Sequence, residues 1–325
     1  MSFAEDAPAV DFALTRGRAA RISGVALDAT GNSIHGGLVL SRSYRSESVA
    51  AAIVGADISA NGAFEFANVL PGDYVLQATK TRVDPYTEGE FASVLLTVTG
   101  TDITGLVVRM KRGSTVSGHV TLDGLNKRID SSAVDLSARP VDPDLSPLAS
   151  NPPASGRMRQ DWTFSMSGLS GLRLFRAMHL SQGWALQAVL LNGRDVTDTP
   201  LAFGDVDQSV NDLEVVLTDR VSGVSGRVLD ARGRGVADAT IVVFDMDRQH
   251  WSATSRFLAT ATTGLDGSFS VLALPAGQYF AAAVDRIVDG EWQNPEFLAT
   301  LVQDASTVSL NEGQALQINP KLLAR

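Results

Sequence analysis

A chain of 325 residues has room for two or three domains of about 100 to 150 residues; its 44% hydrophobic and 19% charged residues can fill cores, and its 29 Gly and 12 Pro point to short elements joined by many turns. The net charge of -9 argues against a nucleic-acid backbone or an anionic membrane surface as partner, since both require a basic stripe. With no cysteine in the chain, disulfides, thiolate metal sites and a thiol nucleophile are excluded.

At the N-terminus, MSFAEDAPAV has neither the basic nor the apolar region of a signal peptide. No apolar run reaches the roughly 18 to 20 residues of a membrane span. Residues 10–17, VDFALTRG, read as the last strand of a preceding sandwich, so the sequence is expected to begin inside a longer array. The same strand type recurs as LVVRMKRG at 106–113 and LEVVLTDR at 213–220. After each copy comes a Ser-Gly phrase: ISGVALD at 22–28, VSGHVTLD at 116–123 and VSGRVLD at 224–230. This repeat sets expected domains at 18–112, 113–220 and 221–325, with short linkers near Gly113 and from Asp219 to Gly223.

Inside the units a second phrase recurs. NGAFEFANVLPGDYVLQA (61–78) and DGSFSVLALPAGQYFAAA (266–283) each place an Asn-Gly or Asp-Gly turn before a Phe strand, then a Leu-Pro turn and a Tyr strand. The middle unit keeps a worn version, WTFSMSGLSGLRLFRA (162–177), without the proline. Its residues 140–160 hold five prolines and read as an exposed mobile insertion, with a partner-binding loop as the alternative. Further on, WALQAVLL (184–191) reads as a strand, Asn192-Gly193 as a type I′ turn, and RDVTDTP as the return path to Pro200. The final ALQINPKLL can supply a last strand. No stretch offers an equally convincing capped amphipathic helix. The expected fold is all-β: three tandem immunoglobulin-like or transthyretin-like antiparallel β-sandwich domains.

The Ser-Gly phrases, Gly235–Val242, the Asp-Gly-x-Phe turn and the Leu-Pro-x-Gly-x-Tyr step together resemble the bacterial carboxypeptidase regulatory-like domain, a transthyretin-like or Cna-B-type β-sandwich with a carbohydrate-binding-like fold. The resemblance implies an accessory module with no peptidase activity and an extracytoplasmic location in the periplasm or at the cell surface. Some Cna-B-type sandwiches form a Lys-Asn isopeptide from a first-strand lysine. None of the three Ser-Gly strands contains a lysine, so that crosslink is not expected.

No constellation names a reaction. His35, His119, His179 and His250 are dispersed without a zinc-ligand spacing, and Ser23, Ser117 and Ser225 recur once per unit without a nucleophile elbow. Gly24, Gly118 and Gly226 instead suggest a bend or bulge where domains meet. Asp195, Asp198, Asp205 and Asp207 are weak calcium candidates, and Asp245 with Asp247 would share one strand face; neither group has a calcium-loop ladder. Trp162, Trp184, Trp251 and Trp292, with Tyr44 and Tyr86, are candidates for a sugar platform or for core filling. The expected function is a non-catalytic rod serving as spacer, stalk or interaction module of a larger envelope protein, with no cofactor. Its partners would be other domains of the parent chain, or a cell-surface protein or glycan. The alternative is a carbohydrate-binding module array.

Overall fold

The computed structural model describes residues 18–34, 36–43, 54–80, 87, 89–124, 128–146, 155–156, 158–181, 183–204, 208–230, 232–252, 254–288 and 290–323. The expected strand at 10–17 lies outside them, as do His35, Tyr44, Tyr86, Asp205 and Asp207. By backbone contacts the chain divides into two compact units. The first contains one sandwich, and the second, from Arg112 onward, contains two.

In the first sandwich the strands are β1 (Ala20–Leu27), β2 (Gly36–Arg42), β3 (Val54–Ala56), β4 (Ala63–Val69), β5 (Gly72–Lys80), β6 (Phe91–Val98) and β7 (Ile103–Arg109). They form two sheets, β4-β1-β7 and β3-β2-β5-β6. Alternation decides the faces: along β4, Phe64 and Phe66 are buried while Glu65 and Ala67 are exposed. The inward residues, among them Ile22, Leu38, Leu40, Phe64 and Leu76, make one core, and each fully buried side chain of this kind contributes about 1.5–3 kcal/mol.

The second sandwich comprises β8 (Ser114–Asp123), β9 (Asp135–Pro140), β10 (Thr163–Leu169), β11 (Gly171–Met178), β12 (Ala185–Leu191), β13 (Arg194–Asp195), β14 (Leu201–Phe203) and β15 (Ser209–Thr218). Its sheets are β10-β8-β15-β12-β13 and β14-β11-β9, enclosing Val116, Leu136, Phe164, Met166, Phe175 and Leu213. The third has β16 (Gly223–Arg227), β17 (Thr240–Asp245), β18 (Leu258–Thr262), β19 (Ser268–Leu272), β20 (Gly277–Val284), β21 (Ser306–Leu310), β22 (Ala315–Ile318) and β23 (Leu322–Leu323). Its sheets are β19-β16-β22 and β18-β17-β20-β21, with β23 added alongside β20.

Apart from the short β23, which runs parallel to β20, the named strands pair antiparallel except at one repeated place. In every sandwich the first strand lies between an antiparallel neighbour and the last strand of the main ladder, and it runs parallel to the latter. There the Ser-Gly phrase finds its reason. Gly24, Gly118 and Gly226 stand opposite Leu106, Leu213 and Ile318, whose backbone carbonyl oxygens occupy the space a Cβ would need. The ladder shifts register beside Gly24 and Gly118, as a bulge requires, but not beside Gly226. Close strand approach, more than domain hand-over, is therefore what demands glycine.

The recurrent turns also match. Oδ1 of Asn61, Asp161 and Asp266 each accepts a hydrogen bond, at 3.1 Å, from the backbone N–H two residues on. The intervening residue is left-handed in all three: Gly62 at φ 83°, Gly267 at 77° and, in the middle copy, Trp162 at 65°. Beyond the Pro turn, Tyr74 donates its hydroxyl to the Leu70 carbonyl at 3.0 Å and Tyr279 to that of Pro275 at 2.7 Å.

The third sandwich carries a layer that the sequence reading did not anticipate. A seven-residue helix, α1 (Pro295–Leu301), covers the outer face of β17 and β20. Asn294 caps it by accepting from the Glu296 N–H at 2.9 Å, and Pro295 opens the first turn. Phe297, Leu298 and Leu301 pack with Val242, Phe244, Ala282 and Val284. Since β17 is covered on both sides, its Ile241, Val242, Val243 and Phe244 are all buried, which explains a continuous apolar run in place of alternation.

Of the proline-rich stretch at 140–160, the described ends are attached to the sandwich: Asp144 and Ser146 are buried, and Gly156 donates to the Leu136 carbonyl at 2.7 Å. Residues 147–154 lie outside the described residues.

Candidate functional site

The polar cluster with most chemical potential begins at the β12–β13 hairpin. Leu191 pairs with Arg194 and Leu190 with Asp195 across a two-residue turn. Asn192 at φ 53° and Gly193 at φ 75° supply the two positive dihedrals of type I′. Asp195 then accepts from the Thr197 N–H at 2.8 Å and from the Thr197 hydroxyl at 2.5 Å. That hydroxyl in turn accepts from the buried N–H of Val189 at 2.8 Å, tying the return path to β12.

This anchoring delivers Asp198 to two arginines. Arg176, 9% exposed at its side chain, donates Nη2 to Asp198 Oδ1 at 3.0 Å and Nη1 to the Thr197 carbonyl at 2.6 Å. Arg256, on the approach to β18 in the third sandwich, donates Nε and Nη2 to the same carboxylate, the shortest contact being 2.7 Å. Each arginine also reaches the other sandwich: Arg176 Nη2 donates to the Thr254 carbonyl at 3.1 Å and Arg256 Nη1 to that of Gln187 at 3.3 Å. Burial pulls the Arg176 guanidinium down to about 10, an effect the Asp198 charge opposes. It remains a cation at neutral pH. Two desolvated cations around one carboxylate need that charge to remain buried.

A second set of contacts lies nearby. Glu312 Oε1 accepts from Arg220 at 3.1 Å and from Gln187 Nε2 at 2.9 Å, while Arg220 also pairs with Asp123. A cleft of about 230 Å³ sits among Leu186, Gln187, Arg220, Arg256 and Leu274. The arrangement can fix one sandwich on the next; the Thr218 and Ser222 hydroxyls line the cleft with no histidine among its lining residues, and Glu312 is engaged by Arg220 and Gln187.

The other candidates are placed as follows. Asp195 is consumed in the Thr197 turn and Asp198 in the arginine clamp, and among the described residues no group of three potential metal ligands forms. Asp245 ends β17, whereas Asp247 caps the next 3-10 turn by accepting from the Gln249 N–H, so the two do not share a strand face. Asp245 instead lies 2.8 Å from His250 Nδ1, and the imidazole stacks on Phe257 with centroids 4.2 Å apart. His119 and His179 are exposed and separate. Ser117 donates to Asn211 Oδ1 at 3.0 Å.

The four tryptophans belong to two packing clusters. Trp184 is buried in the core of the second sandwich, against which Trp162 packs half-buried; Trp251 is buried in the cluster under α1, against which Trp292 packs half-buried. None of the four is an exposed ring. Sequence reasoning missed Arg173, Arg176 and Arg256. For Arg173 a signal existed: it stands nine residues after Phe164, in a turn one residue shorter than those that place Tyr74 and Tyr279.

No protein-family model and no curated protein matches the chain. Among solved structures, the TIE protein of Bacillus anthracis is similar at 11% identity, covering 94% of this chain and 50% of its own, with a TM-score of 0.22. This chain thus spans about half the length of that protein. A minor pilin of Streptococcus agalactiae is similar at 12% identity over 61% of this chain and 95% of its own, TM-score 0.33. The major pilin SpaD of Corynebacterium diphtheriae is similar at 9% identity over 94% and 98%, TM-score 0.24. Scores this low carry no argument; the class, tandem β-sandwiches, stands on the strand topology above.

Proposed function

We propose that the chain is a non-catalytic spacer or stalk region of a larger cell-envelope protein, located outside the cytoplasm, with sandwich boundaries at 18–112, 113–220 and 221–325. The observation that carries this reading is the Asp198 clamp. Side chains that could have formed a reactive site are spent on fastening the second sandwich to the third. Two guanidinium groups, each also bonded across the joint, give a connection with far less freedom than a chain linker alone. Loops at the ends of the sandwiches then serve as contacts for other domains of the parent chain.

The absence of native cysteine makes the test direct. Spin labels on Ser181→Cys and Ser270→Cys, both exposed and on different sandwiches, should give one narrow distance distribution by pulsed electron resonance. A broad distribution overturns the stiff-spacer reading. Recovery of the region in the cytoplasmic fraction, after the cell surface and any periplasm have been separated from intact cytoplasm, overturns the location.

A further inference from the structure

The chain contains two Asn-Gly pairs, Asn61-Gly62 and Asn192-Gly193, and the fold treats them oppositely. At the first, Asn61 Oδ1 accepts from the Ala63 N–H at 3.1 Å, and the Gly62 N–H donates to the Ser59 carbonyl at 2.8 Å. Gly62 is buried, with the Ala26 carbonyl 2.7 Å from where a Cβ would stand. At the second, both residues are exposed and nothing lies within 4 Å of the corresponding point at Gly193. Among the described residues neither the Asn192 amide nor the Gly193 N–H has a hydrogen-bond partner. Two cross-strand pairs close that hairpin, and the next tie, from the Val196 N–H to the Val189 carbonyl at 2.8 Å, lies beyond them.

We propose that Asn192 is a site of spontaneous deamidation and Asn61 is not. The Gly193 backbone nitrogen attacks Asn192 Cγ, giving up its proton to solvent; the C–N bond of the side-chain amide breaks and ammonia leaves, closing a five-membered succinimide. Water then opens the ring at either carbonyl, to aspartate or to isoaspartate. Attack requires Asn192 to leave the left-handed well, and glycine next in sequence offers no side chain to obstruct the approach. The Gly62 nitrogen is already committed to Ser59 and is walled in. The isoaspartyl product adds a methylene to the main chain within a two-residue turn. That shifts β13 and, through Asp195 and Thr197, the path that presents Asp198 to Arg176 and Arg256.

The full chain is incubated at mildly alkaline pH and physiological temperature and sampled by peptide mass mapping, with isoaspartyl methyltransferase labelling as a second readout. A urea-unfolded sample supplies the rate of each pair without structure. In the folded chain Asn192 should convert at least about tenfold faster than Asn61, the ratio expected from exchange through local opening against a protected turn. In urea the two should convert alike. Gly193→Ala should suppress the modification while leaving the far-ultraviolet spectrum unchanged; if that variant misfolds, the Asn61 to Asn192 ratio in the unsubstituted chain still decides. Equal folded rates, or faster conversion at Asn61, overturn the proposal.

Discussion

Arg173 Nε donates to the Ser170 carbonyl at 2.7 Å, the bond that Tyr279 makes to Pro275 and Tyr74 to Leu70 in the flanking sandwiches. The middle turn is one residue shorter, so its core position is filled by a wholly buried arginine. The extra reach supplies a second bond, from Nη1 to the Ala138 carbonyl at 3.0 Å. Arg173→Met should strand both carbonyls in a low-dielectric interior and cost about 3 kcal/mol, against about 1 kcal/mol for Tyr279→Phe, which removes one neutral bond. Urea unfolding followed by tryptophan fluorescence compares the two; equal losses contradict the argument.

Removing Asp198 leaves Arg176 and Arg256 facing each other without a counter-charge. Asp198→Ala should therefore destabilise the second unit by about 2 kcal/mol, less than a fully buried pair because the carboxylate is partly solvated. Adding Arg176→Met to that variant should recover part of the loss. A double-mutant cycle without coupling would show that Asp198 and Arg176 do not interact energetically.

Gly226→Ala forces a methyl group onto the Ile318 carbonyl and should separate β16 from β22. The expected cost is about 3 kcal/mol or more, visible as lost hydrogen-exchange protection along both strands. Gly233 at φ 75° meets no neighbour, so Gly233→Ala should cost only about 1 kcal/mol from backbone strain. Comparable losses would remove close strand approach as the cause.

Burial, reinforced by the negative charge of Asp245, raises the Tyr279 phenol above its ordinary value of 10.0. A folded-state value above the unfolded one means stability is complete below pH 10.0 and falls as pH rises through the folded value. Unfolding titrations should show an alkaline loss that Tyr279→Phe diminishes. An identical alkaline slope in the variant assigns it elsewhere.

On the acid side, the Ser268 hydroxyl and then its backbone N–H hold Asp266 below the usual carboxylate range. This contribution is present above the unfolded value and lost as pH falls through the lower folded one. Carboxyl titration by nuclear magnetic resonance should find Asp266 raised in Ser268→Ala. An unmoved midpoint removes the hydroxyl as the principal cause.

What could be read from the residues was local. Paired Gly and Asn or Asp residues announce turns because they accept positive φ, and Phe alternation announces the half-buried strands they join. The type I′ turn at Asn192-Gly193 is such a case. Helix α1 went unread because seven residues give barely two turns of periodicity, although Asn294-Pro295-Glu296 is a legible start. Trp162 went unread because its left-handed conformation follows from its place in a repeated turn, not from its side chain. The Asp198 clamp joins partners 22 and 58 residues away, and no sequence period marks such a pairing. It arises only when sandwiches meet.

In the first and second sandwiches the chain enters on a strand that lies beside, and parallel to, the strand on which it leaves. Tension drawn through the two ends of such a module loads that ladder lengthwise. The hydrogen bonds between entry and exit strands then resist in shear, many at once, where an antiparallel pair would open like a zip. A module wired in this way transmits a pull while its remaining strands carry little of the load, and extends only when the whole terminal ladder slips.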